Sequence, residues 1–340
     1  MSFVDTLEAE IQSATTGMQQ VMENQCVWGV ADDTGFTGDA YQYSGIFPWI
    51  INDNPTNGIF DVGGTITLSV LDNMLDATVH KFQMLSGGKW AFIASPAMIS
   101  KIGSLQTLIR RQVQQVDFEG GFTMDSYRSI PIISSGYVGP SPTSASVTGL
   151  SASAGGTGSV TGTYRYKVAA INLYGEQVAS ATAAGVLSSN TTVTLTWTAT
   201  TGAKSYAIYR TALNDADTAS LYKLLDIVPA LTYTNGAGVL TASPSYADTF
   251  VKTTVTNVVP LATGQETIFL VYLDKPYGVS LAILPPTLGD PLGGDPVANL
   301  VRYVTLNETT DTYQFRLKSY QCLQVPDATT MAFAHRVAYT

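Results

Sequence analysis

The stretch VTLTWTATTGAKSYAIYR, residues 193–210, governs how the rest of the chain is read. Apolar and polar residues alternate along its first half, which places Val193, Leu195 and Trp197 on one face of a strand. A Thr-Gly turn follows, and Tyr206, Ile208 and Tyr209 flank a second strand. A Trp on a central strand commonly fills the space between two sheets, so Trp197 is expected in the core of a β-sandwich. Two neighbouring blocks, GTYRYKVAAINLYGE (162–176) and LYKLLDIVPALTYTNG (221–236), alternate in the same way between turn residues. Half-buried antiparallel strands are what such patterns form.

Working outward, the composition changes at both ends of this block. GPSPTSASVTGLSASAGGTGS (139–159) and TASPSYADT (241–249) are rich in Pro, Ser, Gly and Thr and read as linkers. An inserted domain must enter and leave its host at one surface point, through segments of this kind. The expected organisation is a first part at 1–139, an all-β insertion at 140–246 and a second part at 247–340. With its own Trp and strand partners, 141–246 is expected to fold by itself.

The flanks mix helices and strands. Val4, Leu7, Ile11, Ala14, Met18 and Val21 recur at helical spacing, predicting a surface-following helix over about 3–24 with acidic residues near its start. Ser2 and Asp5 have the spacing of a capping box. A second apolar face (Leu68, Leu71, Leu75, Val79, Phe82, Leu85) predicts a helix over 67–85 that ends at Gly87. KWAFIAS (89–95) reads as a buried strand, and Pro96 opens a third helix with Ile99, Ile102, Leu105 and Ile109 inward. FEGGFTMDSYRSIPIISSGYV (118–138) reads as a strand pair. After 250, TIFLVYL, VSLAIL, VRYVTL and TYQFRLKSYQCLQV read as strands.

Composition restricts the function classes. The net charge is −9, and the densest basic cluster, Arg110-Arg111 with Lys101, fits a helix end, so a sequence-wide grip on nucleic acid is not expected. No apolar run reaches the ~20 residues that a membrane span needs, and no secretion signal is visible. Cys26 and Cys322 lack metal-ligand spacing and read as reduced and buried, with a bridge between them as the alternative.

Chemistry-bearing patterns are sparse. The two histidines, His80 on the second helix and His335 in the terminal strand, sit in no motif and read as structural. Asp32, Asp33 and Asp39 do not match a calcium loop, and Asp290 and Asp295 fit a surface loop better than an acid–base pair. GTGSVTG (156–162) lacks the spacing and following helix of a phosphate loop and reads as linker. Tyr174, Tyr222 and Tyr233 are possible sugar platforms, with core filling favoured. No catalytic, cofactor-binding or metal residue is assigned.

The insertion resembles a fibronectin type III or immunoglobulin-like domain, although TYRYKVAAINLYGE precedes the Trp strand instead of following it, which permutes the order. The flanks, in particular YSGIFPWIINDNPTNG (43–58), the helix–strand–helix run at 66–102 and YQCLQVPDATTMAFAHRV (320–337), resemble tailed-phage major capsid proteins. The resemblance implies an α+β Hong Kong 97-type fold, with peripheral (P) and axial (A) domains, interrupted by the sandwich. It implies a non-enzymatic virion protein that self-assembles into hexameric and pentameric capsomers, with other head proteins as further partners. DNA would be held by confinement, and assembly would take place in the host bacterial cytoplasm. The insertion would face outward, where it could touch host-surface glycans. Alternatives are an encapsulin-like compartment shell and a tail or adhesin binding module. In the family an arm and an extended loop, the E-loop, precede the spine helix, whereas Met1 stands almost at its start. On that reading residues 1–340 alone give monomers or open oligomers.

Overall fold

Helix α1, Phe3–Trp28, buries Ile11 and, in its last two turns, Asn24, Val27 and Trp28, while Val21 is 42% exposed. The expected stripe therefore drifts, because the side chains that dock the helix lie beyond its expected end at 24. The computed structural model describes residues 3–31, 43–82, 89–108, 114–118, 122–139, 146–234, 237–240, 244–274, 277–283, 301–307, 312–318 and 321–339. Ser2 and Gly87, at the expected helix ends, lie outside the described residues.

The next helix was not expected. IFPWIIND forms a helix, α2 (Ile46–Asp53), with Ile46, Phe47, Pro48, Ile50 and Ile51 all buried. Pro48 stands in its first turn, where the missing N–H costs nothing. Then come β1 (Ile59–Thr65), α3 (Leu68–Phe82), β2 (Trp90–Ala94), α4 (Pro96–Leu108), β3 (Gln114–Phe118), β4 (Phe122–Tyr127) and β5 (Ile130–Ser134). After the central block lie β14–β19: Gln265–Tyr272, Ser280–Ile283, Val301–Asn307, Thr312–Lys318, Gln321–Gln324 and Ala332–Ala338.

The main sheet has seven strands in the order β1-β19-β14-β2-β5-β4-β3. Its middle is made by strands far apart in sequence: β19 runs parallel to β1, and β14 lies antiparallel between β19 and β2. Alternation along these strands splits the core. Phe92, Ile268, Leu270, Ala332 and Ala334 face α3 and α4 through Leu71, Met74, Leu75, Met98 and Ile102. Phe269, Val271 and Phe333 face the other way, onto Trp28 and the α2 side chains Phe47 and Ile50.

The central block supplies β6 (Ser151–Asn172), β7 (Gly175–Glu176), β8 (Ala183–Thr196), β9 (Ser205–Arg210), β10 (Lys223–Pro229), β11 (Leu231–Thr234), β12 (Ala237–Leu240) and β13 (Ser245–Asp248). One hydrogen-bonded sheet connects most of them, in the order β10-β9-β6-β8-β13. Ser151 pairs with Thr196 at one end of β6, and Ala170 pairs with Tyr206 near the other. A straight strand would separate these points by about 60 Å at ~3.3 Å per residue. Yet the rings of Trp197 and Tyr206 meet edge to face at 5.3 Å. The sheet must therefore fold over on itself. The bend falls where the register shifts between Gly155 and Val160, beside the left-handed Gly156. Trp197, Tyr166, Val168, Leu195 and Ile208 fill the fold.

Two segments read as linkers are thus strands. GTGSVTG lies inside β6, and SYAD of the second linker forms the edge strand β13. The reason is that Gly and Thr in a long hairpin supply bends without ending the ladder. A further departure concerns self-sufficiency. Ala169, Ile171, Ala207, Tyr209, Tyr222 and Leu224 belong to the same buried cluster as Trp28, Phe47 and Phe333. One face of the folded sheet therefore shares its core with the main sheet, which a stand-alone unit would not do.

Candidate functional site: the junction between the two sheets

The tight turn between β6 and β7 seats the folded sheet against the rest of the chain. Asn24 at the end of α1 donates from Nδ2 to the carbonyls of Asn172 (3.0 Å) and Leu173 (2.8 Å). Gly175 has φ +109°, and a Cβ there would sit 3.0 Å from the Trp28 ring, so both conformation and space require glycine. Trp28 in turn donates from Nε1 to the Tyr137 carbonyl at 2.6 Å.

The next residue carries a carboxyl into the core. Glu176 is fully buried, and Tyr209 donates its hydroxyl to Glu176 Oε1 at 2.5 Å. Oε2 makes no hydrogen bond among the described residues and lies 3.6 Å from His335 Nε2. The imidazole is occupied on both sides: Nε2 lies 3.0 Å from the Val259 carbonyl and Nδ1 2.9 Å from Thr267 Oγ1. A carbonyl only accepts, so Nε2 carries the proton and Nδ1 accepts from the Thr267 hydroxyl. Burial pushes the Glu176 carboxyl up to about 8, against the Tyr209 and Leu261 hydrogen bonds, and lowers His335 to about 4. At neutral pH the contact is therefore between two uncharged groups, not an ion pair. Burial also holds the Tyr209 hydroxyl well above its ordinary value.

Around this centre several polar groups are paired, although Arg210 Nε, Gln177 Oε1 and Ser205 Oγ are buried without a hydrogen-bond partner among the described residues. Asp248 accepts from Tyr166 (2.9 Å) and pairs with Arg210 (2.6 Å), whose guanidinium lies over the Tyr164 ring. Asp217 accepts from Tyr222 and Thr182, hydrogen bonds that hold its carboxyl below the ordinary range. A groove of about 1120 Å³ runs between α2 and β10, lined by Pro48, Ile51, Asp226, Val228 and Lys252 among others. No group of three or more potential metal ligands occurs among the described residues.

His335 is fully buried in β19, as its apolar strand implies, whereas the His80 side chain lies outside the described residues. Asp32, Asp33, Asp39, Asp290, Asp295, Arg110, Arg111 and the Tyr233 side chain also lie outside them. Lys101 is half-buried on α4. Tyr222 is a core residue, but Tyr174, at the tip of the β6–β7 turn, is 42% exposed. Both cysteines are free, yet neither is buried as expected: Cys26 is half-covered beside the Tyr43 hydroxyl and Cys322 is exposed. The residue that sequence reading missed is Glu176. Its signal was a carboxylate just after a turn, flanked by Gly175 and by apolar strand on both sides.

Comparison with known proteins bears on what this arrangement serves. Residues 4–131 match the family model of the SU10 major capsid protein. No curated protein matches the chain. Among solved structures, the holo-SrpI encapsulin complex from Synechococcus elongatus PCC 7942 is similar at 14% identity and a TM-score of 0.47. The similarity covers 99% of this chain and 67% of that one.

Proposed function

We propose that this chain is a shell-forming structural protein, a major capsid subunit of the tailed-phage type. The observation that carries the reading is the capsid family match over 4–131. That segment runs from α1 to the start of β5 and contributes four complete strands of the main sheet with the four helices packed on it. The site chemistry agrees. Glu176 is held by Tyr209 and His335 by Val259 and Thr267, all buried away from solvent, an arrangement for rigidity and not for turnover.

In this reading the main sheet and its helices form the P- and A-domain body of a Hong Kong 97-type subunit, and copies associate into hexameric and pentameric capsomers. The folded sheet of the central block stands as the immunoglobulin-like insertion on the outer face, fixed in orientation by Asn24, Gly175 and Glu176. Packaged DNA is confined, in keeping with the chain's net charge of −9. Sedimentation and negative-stain microscopy of the purified chain test the proposal. Concentration-dependent association into open oligomers or capsomers is expected, and a chain that stays monomeric at all concentrations would refute it.

A further inference from the structure

Along the long β6–β8 hairpin the outer edge of β8 carries no pairing strand between Ala183 and Thr192 among the described residues, since β13 pairs only with residues 193–196. Exposed edges are normally blunted by charge, by Pro or by a covering loop, because an open ladder recruits other chains. None of the first two devices is present here. No Asp, Glu, Lys, Arg or Pro occurs anywhere from Gln177 to Ala203, in a chain that is 13% charged overall. The partner strand is equally bare, with no charged residue from Ser129 to Tyr164. By contrast β10, the edge strand at the far side of the same sheet, carries the Asp226–Lys252 ion pair and ends at Pro229.

The geometry of the edge can be read from the register. On β6, Arg165 and Thr163 accept from Thr211 and Asn214, so the backbone groups of its odd residues point away from β8. Those of its even residues point toward β8, as Val168 and Ala170 do in accepting from Ser180 and Gln177. Tyr166, Tyr164 and Gly162 stand opposite Ala183, Gly185 and Leu187. Those three residues of β8 thus bond inward, and Ala184 and Val186 turn their N–H and C=O groups outward. Both side chains are exposed, Val186 at 67%. Two residues further the edge closes on itself, because Asn190 caps the Ser188 N–H with its own side-chain oxygen. Gly185, between the two, has no room for a side chain: a Cβ would meet Val193 at 2.9 Å.

We propose that this edge pairs with the same edge of a second copy of the chain, antiparallel and centred on Gly185, so that Ala184 of one copy bonds Val186 of the other and the reverse. The arrangement is self-complementary, and like edges without charge do not repel, whereas a charged edge would on meeting itself. Four backbone hydrogen bonds and two Val186 side chains make a small contact. It suits a lattice in which each copy is already held by its body, and the inference therefore rests on the shell-forming reading above. The ribbon would tie neighbouring capsomers together through the inserted sheet.

Register-specific cross-linking tests it. Full-length Ala184→Cys and Val186→Cys chains, each also carrying Cys322→Ser, are co-expressed, and sedimenting assemblies are exposed to a mild oxidant. Facing residues of a hydrogen-bonded antiparallel pair have Cα atoms about 5.5 Å apart, inside the roughly 4.4–6.8 Å range of disulfides. A disulfide-linked dimer is expected from the mixture and not from either variant alone, because each faces a residue of the other type. Sedimenting assemblies that give no dimer, or give it equally from the single variants, overturn the pairing and leave the shell reading intact. A chain that never sediments overturns the shell reading and the pairing with it.

Discussion

Replacing Glu176 by Gln should change how stability depends on pH more than it changes stability itself. The carboxyl is fully buried, titrates at about 8 in the folded chain and at its ordinary 4.5 when unfolded. Between those values the folded state holds a proton that the unfolded state has released, so the contribution of Glu176 is fully present below pH 4.5 and is lost as pH rises to 8. His335 has the opposite sign. Its folded value is about 4 against 6.5 unfolded, so its contribution is present above pH 6.5 and lost as pH falls toward 4. From 4.5 to 6.5 the two slopes cancel. From 6.5 to 8 only Glu176 acts, at about 1.36 kcal/mol per pH unit, and the native chain should lose about 2 kcal/mol. Glu176→Gln keeps the shape and an acceptor for Tyr209 but cannot ionise. It should lose none of that 2 kcal/mol, and should instead weaken steadily below pH 6.5 through His335 alone. Urea unfolding of dissociated subunits at pH 5, 6.5 and 8, followed by Trp fluorescence, measures both profiles. Groups common to the two chains drop out of the difference. Parallel profiles from 6.5 to 8 would show that Glu176 is not a neutral buried acid, and the account of the junction would fail.

Three other outcomes are expected. Trp197→Ala removes the ring that holds the folded sheet closed against Tyr206 and should cost roughly 3–5 kcal/mol; denaturant unfolding measures the loss, and a change under 1 kcal/mol would place the ring outside the core. Gly175→Val combines a strained φ with a clash on Trp28, so about 1–3 kcal/mol and a red-shifted Trp emission are expected, against no spectral change if the turn is not seated there. Excised residues 141–246 should bind a hydrophobic dye and melt without cooperativity, because they lose Asp248, the partner of Tyr166 and Arg210, and uncover Tyr209, Tyr222 and Leu224. A sharp melt would show that the shared face is dispensable.

How much of this was legible depends on whether a feature is written in local periodicity or in long-range pairing. Apolar runs marked β2 and β14, which are buried on both faces, alternation marked β8, and helical spacing marked α3 and α4, because each of these signals is written in the element's own sequence. Helix α2 was hidden by its length. IFPWIIND spans about two turns, with its polar residues Asn52 and Asp53 together at the end, too short a run to repeat a helical period. GTGSVTG was misread for a different reason: its residues look like a linker, but a strand that must bend over itself needs small residues where the register shifts.

The junction was invisible for a more general reason. Asn24, Glu176, Tyr209 and His335 are dispersed over most of the chain, and each taken singly is an ordinary strand or helix residue. Their meaning arises only when β1, β14 and β19 close the main sheet and bring Thr267 and Val259 around the imidazole. A carboxyl beside a histidine in one core invites a catalytic reading, and the geometry argues against it. Both imidazole nitrogens are already committed, Tyr209 takes one carboxyl oxygen, and nothing in the cluster reaches solvent. A general base needs a free lone pair aimed at a reachable substrate proton. What the cluster does have is two neutral, tightly fitted polar groups between two sheets. Such groups tolerate one register and penalise others, since any slip strips the buried acid of its Tyr209 hydrogen bond. In the proposed shell that penalty would have a use: an error in the angle of the folded sheet would be multiplied by every copy. On that proposal, precision of angle is what Glu176, His335 and Gly175 would supply together.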